Sequence, residues 1–174
     1  MFKHVIITII AMFLIACGNT NQTNQTQTKA SPVVPLVIQV VVDDPALVES
    51  VDYGIQWWEQ AGFNQLVRVD ECDPSAFCSH VRFMTPDERI SINNQYGHGG
   101  DVGGLTSNDR TLVRMNKDLT LGYLPSEALN ISVSHELGHV QGFQHSKDPG
   151  DLMFVQPTFT GTICIQGKAC REFS

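Results

Sequence analysis

His135, Glu136, His139, Gly142 and His145 fall within one short stretch, HELGHVQGFQH. On a helix, His135 and His139 stand four residues apart on the same face, with β-carbons roughly 5–6 Å apart. Imidazoles at that separation can converge on one zinc ion at about 2.0–2.1 Å each. Gly142 can adopt the left-handed conformation that ends a helix, and the resulting turn brings His145 back as a third ligand. Three neutral imidazoles leave zinc its double charge and one open position, where a bound water has its pKa lowered to about 7. Glu136 is rotated away from the ligand direction but stays close enough to accept a proton from that water as it attacks a peptide carbonyl, and to deliver it to the departing amine. The expected chemistry is zinc-dependent hydrolysis with Glu136 as general base. The sequence names no second oxyanion donor. The bland reading is a set of histidines scattered on a helix surface. With 14 Gly and 6 His among 174 residues, chance would put Gly at 142 and His at 145 behind an HExxH at a rate of only about 0.003.

HExxHxxGxxH is the zinc signature of the metzincin metallopeptidases. The longer string HELGHVQGFQHSKDPGDLM resembles the matrixin branch through Ser146, Asp148, Pro149, Leu152 and Met153. The resemblance implies a zincin catalytic domain with one catalytic zinc, and makes Met153 the Met-turn residue packed beneath the histidines. Phe154 stands where matrixins commonly carry tyrosine, and it excludes the tyrosine ligand that astacins have there. The segment VGGLTSND looks like the sheet edge along which metzincins lay an extended substrate. Gly104, Leu105 and Thr106 are then substrate-binding residues, with the backbone as far as Ser107 open to strand addition. Pro157 is expected to line the primed-side pocket. His98 and Asp101 lie in YGHGGD, where matrixins carry accessory zinc or calcium ligands, but the rest of that ligand set is not visible and a plain glycine loop is the simpler reading. There are two departures from the family. No cysteine-switch propeptide lies between Cys17 and the domain, and FVQPTFTGTICIQGKACREFS lacks the usual closing helix, offering a short cysteine-bridged segment instead.

The elements that must position these groups can be read from hydrophobic patterning. LVIQVVV, residues 36–42, is a continuous apolar run of the kind found in a strand buried on both faces. Asp43 or Asp44 can cap a helix beginning at Pro45, with Leu47, Val51, Ile55 and Trp58 on one side and Gly62 as its stop. Residues 66–70 and 80–84 alternate around Val67, Val69, Val81 and Phe83 as half-buried strands. A glycine-rich loop spans 96–104, and short strands are expected at 104–107 and 111–116. Pro125 and Ser126 open a second helix, with apolar contacts from Ala128, Leu129, Ile131, Val133, Leu137 and Val140. The expected class is α+β, with a mixed twisted sheet and two main helices.

The chain is long enough for one domain, expected at 36–174. Residues 1–16 read as a secretory signal: basic Lys3 and an apolar run from Val5 to Ala16, too short for a confident membrane span. Leu14, Ile15, Ala16 and Cys17 look like the lipobox of bacterial lipoproteins, which implies cleavage before Cys17 and a lipid on it. An ordinary signal peptide with an incidental cysteine is the alternative. Residues 17–35, rich in Asn, Gln and Thr, form a solvated tether. The net charge of −7 argues against nucleic acid and against attraction to anionic lipid, so membrane attachment rests on the lipid anchor. The protein is placed in the bacterial cell envelope, extracytoplasmic, as a monomer with peptide or protein substrates. Cys72, Cys78, Cys164 and Cys170 allow three pairings; equal spacing favours Cys72 with Cys78 and Cys164 with Cys170. Zinc binding by these four is the rival, weakened by the absence of CxxC spacing. A surface binding module that keeps the zinc fold without turnover is the alternative function. A structural zinc domain would need a fourth protein ligand.

Overall fold

Five strands form one sheet: β1 (Leu36–Val40), β2 (Leu66–Val69), β3 (Cys78–Phe83), β4 (Gly104–Thr106) and β5 (Leu112–Met115), in the spatial order β2-β1-β3-β5-β4. β1 runs parallel to β2 and to β3, and β3 runs parallel to β5. β4 alone is antiparallel, registering Gly104 with Met115 and Thr106 with Val113 at the sheet's edge. With helices α1 (Pro45–Gln60), α2 (Pro86–Tyr96) and α3 (Ala128–Val140), this is an α+β domain with a mixed sheet. A separate hairpin of β6 (Gly161–Ile165) and β7 (Lys168–Phe173) ends the chain. The computed structural model describes residues 35–41, 44–63, 65–96, 102–118, 120–121, 127–155 and 159–174, all within one compact unit, Val33–Ser174. Cys17, the signal and tether assignments, His98, Asp101, Pro125, Ser126 and Pro157 lie outside the described residues. No helix among the described residues is long and apolar enough to cross a membrane.

α1 begins as its sequence dictates. The Asp44 carboxylate accepts the Ala46 N–H at 3.1 Å, and Pro45 supplies a first turn that needs no donor. Leu47, Val51, Ile55 and Trp58 are buried, and Gly62 ends the helix at φ +91°. α1 and α3 cross closely enough that a β-carbon on Gly54 would lie 2.9 Å from Leu137 Cδ1. Their inner faces share one core with Ile38, Val81, Val113 and Met115 of the sheet, so both helices cover the same face.

Three expectations need correction. The domain has three helices among its described residues, not two. α2 opens with a capping box: Glu88 accepts the Thr85 N–H at 2.9 Å, while Thr85 Oγ1 accepts the Glu88 N–H at 3.3 Å. Only Ile92 of α2 is buried, so no apolar stripe announces the helix. It belongs to the other face of the sheet, where Arg82 and Arg114, paired in register, project away from Val81 and Val113 and meet Glu88 at 2.6 and 4.0 Å. Second, β1 is not buried on both faces: Ile38 is fully buried, and its neighbours are half-buried. Third, the alternation in β2 is one residue out of phase. Leu66 enters the core and Val67 is exposed, because parallel pairing with β1 sets Leu66 opposite Leu36.

Both disulfides follow the equal-spacing pairing, Cys72 with Cys78 and Cys164 with Cys170. The expected cysteine-bridged tail is the β6–β7 hairpin, with no helix among its described residues. Gln166 and Gly167 make its two-residue turn, both at positive φ.

Candidate metal centre

α3 carries the first two histidines and a turn supplies the third. The helix ends in a complete Schellman motif: the Gly142 N–H donates to His139 O at 2.9 Å and the Phe143 N–H to Gly138 O at 3.0 Å. Gly142 sits at φ +95°, a conformation that disfavours side chains. Phe143 then stacks on Trp58, with centroids 4.9 Å apart, which fixes the direction of the returning chain. His145 is thereby delivered to the other two rings.

The three rings are 4.8–5.3 Å apart centre to centre, and each offers one nitrogen within 4.8 Å of the others. His139 Nε2 and His145 Nε2 are 3.2 Å apart, close to the roughly 3.3 Å that two nitrogens of a tetrahedral zinc site would show. That one distance would also suit an imidazole–imidazole hydrogen bond. The opposite sides of the rings favour a metal. His135 Nδ1 lies 2.7 Å from Leu152 O, and His139 Nδ1 lies 2.8 Å from Phe143 O. Each Nδ1–H donates to a carbonyl, which leaves the lone pair on Nε2, as metal-binding histidines require. Burial pushes the His135 pKa down to about 4. Burial, then the neighbouring imidazoles, lowers that of His145. Both rings are therefore neutral near pH 7. These residues can hold a divalent ion; among the described residues no fourth side chain joins the group.

Glu136 is buried beside them. Its Oε2 accepts the Thr106 hydroxyl at 2.7 Å, and a β-carbon on Gly104 would lie 2.8 Å from Oε1. The edge strand β4 thus packs on the carboxylate from the side, with a glycine where any side chain would collide. Burial raises the Glu136 pKa, opposed by the Thr106 hydrogen bond and then by the neighbouring histidines. A carboxyl shifted toward neutrality suits proton exchange.

Met153 is fully buried against Gly138. A β-carbon there would overlap its sulfur and come within 2.6 Å of Trp58 Cζ2. Met153 O accepts the Ser146 N–H at 2.7 Å. The turn bearing Met153 therefore touches the centre twice, through Leu152 O at His135 and through Ser146 beside His145.

The three histidines, Glu136, Met153 and the β4 residues Gly104 and Thr106 thus lie together. What sequence reasoning missed is the Thr106 hydroxyl on Glu136, which depends on sheet register, and the carbonyls of Leu152 and Phe143, which carry no sequence signal. A second group, Cys72, Cys78 and His80, also has ligand atoms within 4.8 Å. Its sulfurs are joined as a disulfide, which removes the thiolates a metal would need. No protein-family model matches the sequence.

Proposed function

We propose that the chain is a zinc-dependent endopeptidase of metzincin type, matrixin-like, acting on extended peptides or proteins outside the cytoplasm. The observation that carries this reading is the convergence of His135, His139 and His145 with Glu136 held beside them by Thr106. His135, His139 and His145 would hold the ion. When bound, zinc supplies Lewis acidity and lowers the pKa of a coordinated water. Glu136, held by Thr106 through Oε2, would take a proton and return it to the departing amine.

β4 supports an extended substrate. The Asn116 N–H donates to Gly103 O and the Ser107 N–H to Leu112 O, so antiparallel alternation turns the peptide groups of Gly104 and Thr106 away from β5. Those groups could pair with a substrate strand next to Glu136. The two disulfides support an oxidising compartment, and lipid attachment at Cys17 is part of the proposal.

The test is zinc content by elemental analysis, together with cleavage of an unfolded protein with and without a chelator. One zinc per chain and chelator-sensitive cleavage are expected. Stoichiometric zinc without Glu136-dependent cleavage would instead make the domain a zinc-containing binding module.

A further inference from the structure

Asp151 is a buried carboxylate outside the ligand set, held by N–H donors from its own turn and from Gln166, 15 residues further along the chain. Its Oδ1 accepts the Met153 N–H at 2.8 Å. Its Oδ2 accepts the Gln166 N–H at 3.1 Å and the Gln166 side-chain amide at 3.3 Å. Gln166 begins the turn of the β6–β7 hairpin. Around this carboxylate the two segments exchange backbone bonds: the Leu152 N–H donates to Cys164 O at 2.7 Å, and the Cys164 N–H to Gly150 O at 2.8 Å. The hairpin is itself fixed, closed by Cys164–Cys170 and seated on α1, where Trp57 Nε1–H donates to Ala169 O at 2.5 Å and the Trp57 and Phe173 rings lie 5.7 Å apart.

Resting on the metal-site reading above, we propose that Asp151 is a positioning residue through which the disulfide-closed hairpin holds the metal centre in register. The chain of contacts is continuous. Asp151 fixes the turn at residues 151–154, Leu152 O orients His135, and Met153 O secures Ser146 next to His145. Two of the three ligands thus take their placement from one short turn, and the hairpin is what prevents that turn from shifting. A carboxylate is required because both oxygens must accept. An asparagine would keep the shape but present an N–H group to the donors of Gln166. Outer partners that orient metal-bound histidines are worth about 10–100-fold in affinity.

The experiment measures zinc affinity by chelator competition, the visible spectrum of the cobalt-substituted protein, and thermal unfolding of the metal-free form. It compares wild type, Asp151→Asn, the double variant Cys164→Ser/Cys170→Ser, and all three changes combined. Expected are a loss of about 10–100-fold in zinc affinity for Asp151→Asn, an altered cobalt spectrum, and cooperative unfolding without metal. The cysteine variant should weaken binding in the same direction, and the combined variant should lose less than the product of the two effects, because they act through one contact. Should Asp151→Asn fail to fold, the cysteine variant carries the test. Unchanged affinity and spectrum in Asp151→Asn, or in the cysteine variant where only it folds, with wild type binding one zinc, would overturn the proposal and leave the metal site standing. Independent, multiplying effects would also overturn it. Absence of zinc binding in wild type would remove the metal-site reading itself.

Discussion

His135 Nδ1 lies 2.7 Å from the carbonyl oxygen of Leu152, the residue next to Met153. This ties the first histidine of the cluster to the turn that packs beneath α3, and makes the fit of Met153 against Gly138 a property of the candidate metal centre as well as of the core. Met153→Leu conserves volume and should cost less than about 1.5 kcal/mol, with zinc retained. Met153→Ala should cost about 2–5 kcal/mol and weaken zinc binding. Urea unfolding and chelator competition check both.

Thr106 should matter through its hydroxyl. Its hydrogen bond favours ionised Glu136 while burial opposes ionisation. Removing the donor in Thr106→Val should move the acidic limb of the pH profile of kcat/KM to higher pH and lower kcat by less than the roughly 100-fold that marks the weak end of general-base contributions. Thr106→Ser should restore both. A valine variant with an unmoved acidic limb would separate Thr106 from the proton transfer.

Gly142→Ala forces a β-carbon into a positive-φ turn, where it would also lie 3.1 Å from the Arg110 guanidinium. A left-handed non-glycine residue costs about 1–2 kcal/mol, and the turn that yields delivers His145. Lower thermal stability should therefore come with weaker zinc binding, whereas stability loss with unchanged zinc affinity would uncouple the turn from the third ligand.

Glu88 offers a pH test away from the centre. The Arg82 guanidinium, aided by the capping contacts with Thr85, holds its carboxyl down to about 2 from 4.5. A depressed carboxylate pKa stabilises the fold above the unfolded value of 4.5, and that stability is lost as pH falls toward 2. Glu88→Gln should destabilise by about 1–3 kcal/mol at pH 7, with partial exposure reducing the full linkage value. The difference from wild type should shrink steadily between pH 4.5 and 2, as followed by urea midpoints.

The parts of this domain legible in its sequence are those whose signal is local. HELGHVQGFQH specifies a helix, a glycine stop and a returning histidine within one segment, and the geometry brings those side chains together. Asp44 and Pro45 open α1 in the same local way. α2 escaped because it carries no apolar stripe, although Thr85 and Glu88 held its capping box. The phase of β2 depended on which strand it would pair with, and the roles of Thr106, Leu152 and Asp151 depend on contacts across 30 residues for Thr106 and Glu136 and 17 for His135 and Leu152. No spacing rule reports contacts of that kind.

The most direct measurement compares wild type with Glu136→Gln on a diverse peptide library, at matched zinc content verified by elemental analysis. Both proteins should hold one zinc, wild type should cleave extended peptides, and the variant should lose at least about 100-fold in kcat/KM, within the range attributed to a general base. Equal cleavage by both proteins, or none by a fully zinc-loaded wild type, would contradict it.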